Sequence, residues 1–289
     1  FKIDDFVRVS VAPAGDAWVN RFNAVHEVLQ ARDCVMYVTD DDYVGDDNLF
    51  LYADEFSMGL TLLRAGHIDA AAEQITVWDG ATTEHVAGTY AARKLWERTG
   101  KAQSNVQWRS SGVSETPQEP HVTAGDVERH RCALLFGDFK GFSKLPDRLL
   151  PVYVEKVLGA VQAVIGRYPV EVSNTWGDAV YLVLKDVGDA AQCALELQVA
   201  VREIPWTQLG FEAPLQFRLG GHYGPVYRAV DPILKTTTYV GAHVSRAARV
   251  EPVTPPGGVY VTEQFATKLA LGYGDRFDCD YVGVRNLPK

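Results

Sequence analysis

The chain has 289 residues, of which 47% are hydrophobic and 22% charged, and its formal net charge is −9. This is ordinary globular composition, and the length fits two domains better than one. General binding to nucleic acids or anionic membranes needs clustered Lys and Arg, which an acidic chain does not offer. We therefore expect no nucleic acid and no membrane among its partners, and any phosphate chemistry has to come from a local site.

The cysteines and the chain start indicate a cellular compartment. Four cysteines lie far apart among apolar neighbours without a CxxC pair, as expected of buried thiols in a cytosolic protein: Cys34, Cys132, Cys193 and Cys279. No apolar run approaches the roughly 18 residues of a membrane-spanning helix. The start lacks both a methionine and a signal-peptide pattern. We expect a cytoplasmic protein, of which this chain is a fragment.

Residues 1–108 alternate between helical and strand-like apolar patterns. The first helical face follows Gly15 and comprises Trp18, Val19, Phe22, Val25, Val28 and Leu29. A buried strand at 34–38, a helix over 49–63, a strand at 75–78, a helix around Val86, Tyr90 and Leu95, and a short strand at 106–108 follow in that order. This alternation favours a small α/β, Rossmann-like domain with a parallel sheet. No glycine-rich phosphate loop follows these strands, so we expect a regulatory or interaction role.

An acidic cluster, Thr-Asp-Asp-Asp at 39–42, follows the predicted strand at 34–38. One interpretation is a metal or sugar site, because ligands bind at the carboxyl ends of strands in α/β sheets. The other is a solvated turn that caps the next helix, since Asp forms local hydrogen bonds in turns. The second interpretation is favoured.

Residues 109–129 are rich in Ser, Pro, Gly and charge and predict a linker. Beyond it, residues 130–289 predict a second domain. Its pattern gives a strand at 132–136, a helix over 154–165, a hairpin over 170–184, a helix around Ala191 and Leu195, and an alternating strand at 215–219. The order βαββαβ is that of a ferredoxin-like α+β sheet.

Two carboxylates stand where such a sheet can present them together. Asp138 follows the first strand, and Asp178 lies at the tip of the hairpin. If the two strands pair, the carboxylates approach closely enough to share Mg²⁺ or Mn²⁺, which prefer oxygen ligands. After Asp138, Gly141 permits a tight turn, and the free amides that follow it, from Phe142 on, are placed to hold a triphosphate.

Four blocks of the sequence carry a family resemblance. FGDFKGFSKL, NTWGDAVYLVL, FRLGGHYGPV and YVGAHVSRAARVEP occur in the order and approximate spacing of the class III adenylate and guanylate cyclase catalytic domain. The chain resembles this family from about Arg129 to its end. AARVEPVTPPGGVYV and FDCDYVG look like bacterial cyclase-like domains that follow a non-catalytic α/β region. Some relatives of this general kind are pyrimidine (uridylate or cytidylate) cyclases in anti-phage signalling.

The resemblance implies a set of roles. Asp138 and Asp178 match the two metal-binding aspartates, and the main-chain carbonyl of Phe139 matches a third ligand, with two cations in each site. Arg249 matches the arginine that stabilises the transition state. The partner protomer would supply it, because domains of this family form head-to-tail dimers with sites at their interface.

Three features of this chain depart from the family pattern. Ser245 occupies the position of the ribose-orienting asparagine, and the phosphate-holding lysine can only be Lys289 within this chain. The base-reading pair appears as Asn174 and Thr238. Thr238 permits adenine, whereas Asn174 matches neither the lysine of adenylate cyclases nor the glutamate of guanylate cyclases. An amide offers a donor and an acceptor, which suits the edge of uracil or cytosine.

The sequence thus predicts a homodimeric nucleotide cyclase for second-messenger signalling that favours UTP or CTP. An adenylate cyclase is one alternative. A nucleotide-binding sensor that has lost turnover is another. The combination of Asp138, Asp178 and Arg249 favours an enzyme, because a pure binder needs no transition-state arginine.

Overall fold

A computed structural model describes residues 1–45, 47–82, 87–107 and 129–288. The α-helices of these residues are α1 Ile3–Phe6, α2 Asp16–Ala31, α3 Asn48–His67, α4 Thr89–Glu97, α5 Leu150–Val152, α6 Leu158–Ile165, α7 Val187–Arg202, α8 Ala242–Val250 and α9 Glu263–Tyr273. The strands are β1 Glu73–Trp78, β2 Ala102–Gln107, β3 Arg129–Lys140, β4 Val170–Trp176, β5 Ala179–Leu184, β6 Gln216–Val230, β7 Thr237–Val240 and β8 Val259–Val261. Short 3₁₀ or π turns occupy Val7–Val11, Ala12–Ala14, Phe142–Lys144, Asp147–Leu149, Tyr153–Val157 and Glu251–Val253.

The larger sheet has the order β4-β5-β3-β6-β7, with β8 paired to β6. Its pairs are antiparallel except β6 with β8. The order of β4, β5, β3 and β6 is that of a ferredoxin-like sheet, and the predicted βαββαβ succession is confirmed. The sequence pattern gives no element beyond β6, whereas the structure continues with β7, α8, β8 and α9.

The two faces of this sheet bury different side chains, because successive residues of a strand point to opposite faces. Leu135 and Leu182 lie in the main core, which α6, α7 and α9 cover. Leu134 and Val183 point the other way, into a smaller cluster that includes Ala247 of α8. Full burial of one such leucine contributes roughly 1.5–3 kcal/mol to folding. The sheet is therefore held on both faces, and α8 is fixed against one of them.

Helix α3 packs against α9 and enters the main core. Tyr52 is 1% exposed and donates a hydrogen bond to the carbonyl of Tyr223 at 2.9 Å. Glu55 is buried and accepts from Lys268 at 2.6 Å and from the hydroxyl of Tyr223 at 3.2 Å. A Cβ on Gly59 would lie 2.0 Å from a backbone oxygen of α9, so a glycine is required at this contact.

The N-terminal predictions hold in part. Helices α2, α3 and α4 and the parallel pair β1–β2 are confirmed. The strand predicted at 34–38 is wrong: this segment pairs with no described strand, so its backbone has no sheet partner there, and its Met36 and Tyr37 are exposed. With two strands among the described N-terminal residues, a Rossmann-like sheet is not confirmed. The predicted Val86, Trp108 and most of the linker at 109–129 lie outside the described residues, and the domain boundary stays a prediction.

Two predictions of burial are also corrected. Helix α2 contains no buried residue, and Trp18 on its predicted face is 56% exposed. The helix packs instead through the half-buried Phe22, whose ring lies 5.7 Å from that of Phe6. Cys34 is exposed, whereas Cys132 and Cys193 are buried as predicted. None of the helices in the described ranges is both long and apolar enough to cross a bilayer.

Candidate active site

Asp138 and Asp178 are brought together by the pairing of β3 with β5. Gly137 stands opposite Val180 in this antiparallel pair, and Asp178 lies in the turn just before β5. Burial raises the pKa of Asp178, and Asp138 raises it further, because its carboxylate accepts a hydrogen bond from the protonated form of Asp178 and its negative charge disfavours a second one. The two carboxyl groups are therefore direct neighbours, as the sequence predicts. Such a pair disfavours two negative charges unless a cation joins them.

Asp138 points out of the core because its neighbours are fixed inside it. Phe139 is 1% exposed, stacks on Phe217 with ring centroids 4.3 Å apart, and meets Tyr153 edge-on at 5.6 Å. A Cβ on Gly137 would lie 2.3 Å from the ring of Phe217, so this glycine makes room for the stack. Strand alternation then directs Asp138 to the opposite side, where it is partly accessible.

Arg218 and Glu251 complete this cluster, and neither is among the site residues predicted from the sequence. Arg218 stands opposite Asp138 in the β3–β6 pair and donates to its carboxylate at 2.9 Å. It also forms an ion pair with Glu251. Burial raises the pKa of Glu251 to about 7, against the opposing effect of Arg218 and with the support of Asp138 and Asp178. The signal for Arg218 is its place in the alternating strand at 215–219, in register with Asp138.

The turn after β3 is bent towards the hairpin that carries Asp178. Gly141 has a φ of 100°, a conformation that favours glycine, and precedes the 3₁₀ turn Phe142–Lys144. Phe142 packs on Tyr153 with ring centroids 4.7 Å apart, and its ring lies 3.8 Å from the position of a Cβ on Gly177. The first amides of a helical turn have no partner within it and are suited to bind phosphate oxygens.

Ser245 and Arg249 lie on one exposed face of α8. They are four residues apart, so their side chains are neighbours on the helix surface. In the described part of the chain Arg249 forms no ion pair, and the structure does not join it to Asp138 or Asp178 of the same protomer.

The predicted base-reading residues lie on the two end strands of the sheet. Asn174 is exposed on β4, and Thr238 is half-buried on β7. The hydroxyl of Tyr239 on β7 donates to Glu171 on β4 at 3.4 Å, so the two ends of the sheet approach each other. Trp176, at the end of β4, is 88% exposed. Lys289 lies outside the described residues.

The acidic cluster at 39–42 takes neither predicted form in full. Thr39 accepts from the amide of Asp41 at 3.2 Å, which is the local bonding of a turn. However, α3 begins after Asp47 without a side-chain cap, and Thr39 and Asp41 instead contact His243. Across the described residues, no three His, Cys, Asp or Glu side chains are placed to hold a metal ion together.

Comparisons with known proteins cover the region that contains this site. The profile of the family described as "Adenylate and Guanylate cyclase catalytic domain" matches residues 126–287, which is more than half of the chain. The crystal structure of the adenylyl cyclase CyaB from P. aeruginosa superimposes with a TM-score of 0.50 and 18% identity, over 56% of this chain and 89% of that chain.

Two further relatives were found. The guanylyl cyclase Cya2 gives a TM-score of 0.46 and 24% identity over 55% of this chain and 89% of that chain. A putative serine/threonine-protein kinase/receptor from Acanthamoeba polyphaga mimivirus is 30% identical over an alignment of 132 residues, and the match covers 40% of this chain. This chain spans 8% of the length of that viral protein.

Proposed function

The chain belongs to the family of adenylate and guanylate cyclase catalytic domains, and we propose that it converts a nucleoside triphosphate to a 3′,5′-cyclic nucleotide and pyrophosphate. One observation carries the proposal. Asp138 and Asp178 are adjacent at the ends of paired strands, and the charge of one raises the pKa of the other. Two partly exposed carboxylates held this close are suited to divalent cations.

Mg²⁺ or Mn²⁺, two per site, fits the donor set of this cluster. Asp138 and Asp178 would hold both ions, with the main-chain carbonyl of Phe139 as a further ligand. When bound, such ions supply activation of the ribose 3′-hydroxyl and neutralise charge on the departing pyrophosphate. Arg218 occupies one oxygen of Asp138 and so fixes the orientation of the carboxylate.

The remaining steps fall to other residues of the chain. The amides after Gly141, beginning with that of Phe142, would bind the triphosphate, and Lys289 would add a positive charge to it. Arg249 would stabilise the charge that develops on the α-phosphate, and Ser245 would orient the ribose. Because Arg249 contacts neither aspartate of its own protomer, we place it in the site of a second copy. The active form is then a homodimer whose sites each combine residues of both chains.

Asn174 and Thr238 support a pyrimidine substrate, UTP or CTP. The amide of Asn174 supplies one donor and one acceptor, which match the polar edge of uracil or cytosine. A site built on hydrogen bonds rejects a base that leaves its groups unpaired by roughly 10⁴- to 10⁵-fold. We further propose that the product is a cytoplasmic second messenger, with anti-phage defence as its setting, as in the pyrimidine branch that the sequence resembles.

Two observations favour alternatives. Thr238 is compatible with adenine, which keeps an adenylate cyclase as the second candidate. Ser245 is shorter than the asparagine it replaces, which would suit a domain that binds nucleotide without turning it over. Arg249 separates these alternatives from one another, since a transition-state arginine is of use only to an enzyme.

The test is incubation of the purified chain with ATP, GTP, CTP and UTP in separate reactions with Mn²⁺, followed by mass spectrometry. We expect a cyclic product and pyrophosphate from UTP or CTP. A cyclic product from ATP alone would select the adenylate cyclase. Tight binding of a triphosphate with no product from any of the four would select the sensor and contradict the enzyme.

A further inference from the structure

His243 lies in the first turn of α8 and points away from the residues proposed for catalysis. Its side chain is 2% exposed, and with Ala247 and Val250 it forms the buried stripe of the helix. Ser245 and Arg249 occupy the exposed face. Because the helix is a rigid body over these two turns, whatever fixes the ring of His243 also fixes the direction of Arg249.

The imidazole of His243 is held against the sheet by close packing. It stacks on His222 of β6 with ring centroids 5.0 Å apart and an interplanar angle of 11°. A Cβ on Gly224 would lie 2.2 Å from Nδ1 of His243, so only a glycine admits the ring at this position. From α3, Tyr52 meets the same ring edge-on at 5.8 Å.

Hydrogen bonds link this ring to two separate parts of the chain. Nδ1 of His243 lies 2.7 Å from Nε2 of His222, whose Nδ1 lies 2.8 Å from the hydroxyl of Thr262. Thr262 caps α9 by accepting from the amide of Phe265. Burial lowers the pKa of His222 well below its usual value, so this ring stays neutral and links its two neighbours by hydrogen bonds.

The other nitrogen of His243 is bound by the N-terminal region. Nε2 lies 3.0 Å from the hydroxyl of Thr39 and 3.2 Å from the carboxylate of Asp41. A carboxylate only accepts, so Nε2 donates to Asp41. Burial favours a raised pKa for Asp41, but the hydrogen bond from His243 and its electrostatic interaction, with the hydroxyl of Thr39, hold the pKa of this carboxyl below its usual value. The contact joins residues more than two hundred positions apart.

We propose that Thr39 and Asp41 are positioning residues for the proposed cyclase reaction: they anchor His243 and so set the direction in which α8 presents Arg249 and Ser245 to the partner's site. The N-terminal region thereby acts on catalysis without touching substrate. This role differs from packing alone. If Thr39 and Asp41 position α8, loss of the anchor lowers the activity of a site only when it is lost on the chain that supplies Arg249 to that site.

The inference rests on the proposed cyclase activity, and its test uses pairs of defective chains that share one working site. A chain with Asp138→Ala can contribute only its Arg249 to a shared site, and a chain with Arg249→Ala can contribute only its Asp138. Their mixed dimer has one intact site. Thr39→Val together with Asp41→Ala is then introduced into one of the two chains at a time.

When these changes are on the chain that contributes Arg249, kcat is expected to fall roughly 10- to 100-fold with KM nearly unchanged. The reason is that a displacement of about 1 Å has that effect on a group that acts in the transition state. When the same changes are on the chain that contributes Asp138, activity is expected to match that of the mixed dimer without them. Asp42→Ala is the control, since Asp42 is exposed and pairs with Lys2. Equal losses in both placements, or none in either, would overturn the inference.

A second readout is independent of turnover. Amide hydrogen exchange of α8 and α7 is compared between the unaltered chain and the chain with Thr39→Val and Asp41→Ala. Faster exchange is expected in α8 and unchanged exchange in α7; unaltered exchange of α8 would overturn the anchor. If the unaltered chain cyclises no triphosphate, the proposed function fails, and this exchange result still decides whether Thr39 and Asp41 hold α8.

Discussion

The two parts of the chain on either side of the predicted linker differ in where their apolar residues lie. In residues 129–288 a six-stranded sheet buries apolar side chains on both faces, beneath α6, α7 and α9 on one side and α8 on the other. In residues 1–107, α2 buries no residue, and the parallel pair β1–β2 leaves Ile75 and Val77 exposed. We therefore expect much of the stability of the N-terminal part to come from its contacts with residues 129–288, which we call the sheet unit.

Helix α3 makes this contact. Tyr52 belongs to the main core of the sheet unit, and the small cluster that joins Met58 of α3 to Trp96 of α4 includes Leu271 of α9. Glu55 forms an ion pair with Lys268 at 2.6 Å. Although α3 precedes the predicted linker, it thus packs as part of the sheet unit. We therefore expect substitutions in the core-facing side of α3 to lower the free energy of unfolding more than substitutions in α2.

The largest expected effect lies in the sheet unit. Asp178→Ala should lower the cyclisation rate at least about 10³-fold, because it removes a proposed ligand of the catalytic metal ions, and such ions contribute several kcal/mol to stabilisation of a transition state. The measurement is product formation at saturating Mn²⁺. Asp275→Ala, at an exposed carboxylate, is the matched control. Full activity of the Asp178 variant would contradict the two-metal proposal.

Arg249→Ala should cost roughly 10³-fold in kcat, the lower end for an arginine that stabilises a phosphoryl transition state. Its side chain is exposed and has no ion pair among the described residues, so the free energy of unfolding is expected to change by less than about 0.5 kcal/mol. Rate and denaturant midpoint are measured on the same preparation. A clearly lower denaturant midpoint for Arg249→Ala than for the unaltered chain would show that Arg249 has a structural role.

The contrast between α3 and α2 can be tested by two aromatic truncations. Tyr52→Ala should lower the free energy of unfolding by about 3–5 kcal/mol, because it leaves a cavity in the main core and an unpaired carbonyl at Tyr223. Trp18→Ala, at a side chain 56% exposed, should change it by less than about 0.5 kcal/mol. Urea unfolding followed by circular dichroism measures both. Equal effects would remove the distinction between the two helices.

A smaller effect is expected from pH. Burial and Asp138 raise the pKa of Asp178, and a metal ion binds only the deprotonated carboxylate. Below that pKa, Mn²⁺ affinity should fall by up to about tenfold per pH unit, and it should recover as the pH rises above it. Calorimetric titration of Mn²⁺ between mildly acidic and neutral pH measures this. Asp178→Asn is expected to flatten the dependence, and an unchanged slope would assign the proton to another group.

The sheet unit follows from the sequence because its signals are local. The alternation in the strands, the Gly-Asp turn of the hairpin and the spacing of Asp138 and Asp178 together give the order of elements and the carboxylate pair. The prediction fails at 34–38, where an apolar run has the pattern of a strand but pairs with no strand of the described residues. Periodicity predicts a conformation, whereas burial depends on what the fold places beside it.

The parts of the site that the sequence does not predict are those made by contacts between residues that are distant along the chain. Arg218 reaches Asp138 across a strand pair, and Glu251 joins them from the turn after α8. The bond from Thr39 to His243 joins the N-terminal region to α8. No local sequence pattern indicates such pairs. A single arginine or histidine in a strand or helix is therefore interpreted as a packed side chain or as a solvated charge.

The most direct test of the shared site is to mix Asp138→Ala and Arg249→Ala chains, each inactive alone, under conditions in which subunits exchange. One composite site is intact in every mixed dimer, so cyclisation of the preferred triphosphate should return to a fraction of the unaltered rate. Mixed dimers proven by mass spectrometry that remain inactive would contradict a site built from Asp138 of one chain and Arg249 of its partner.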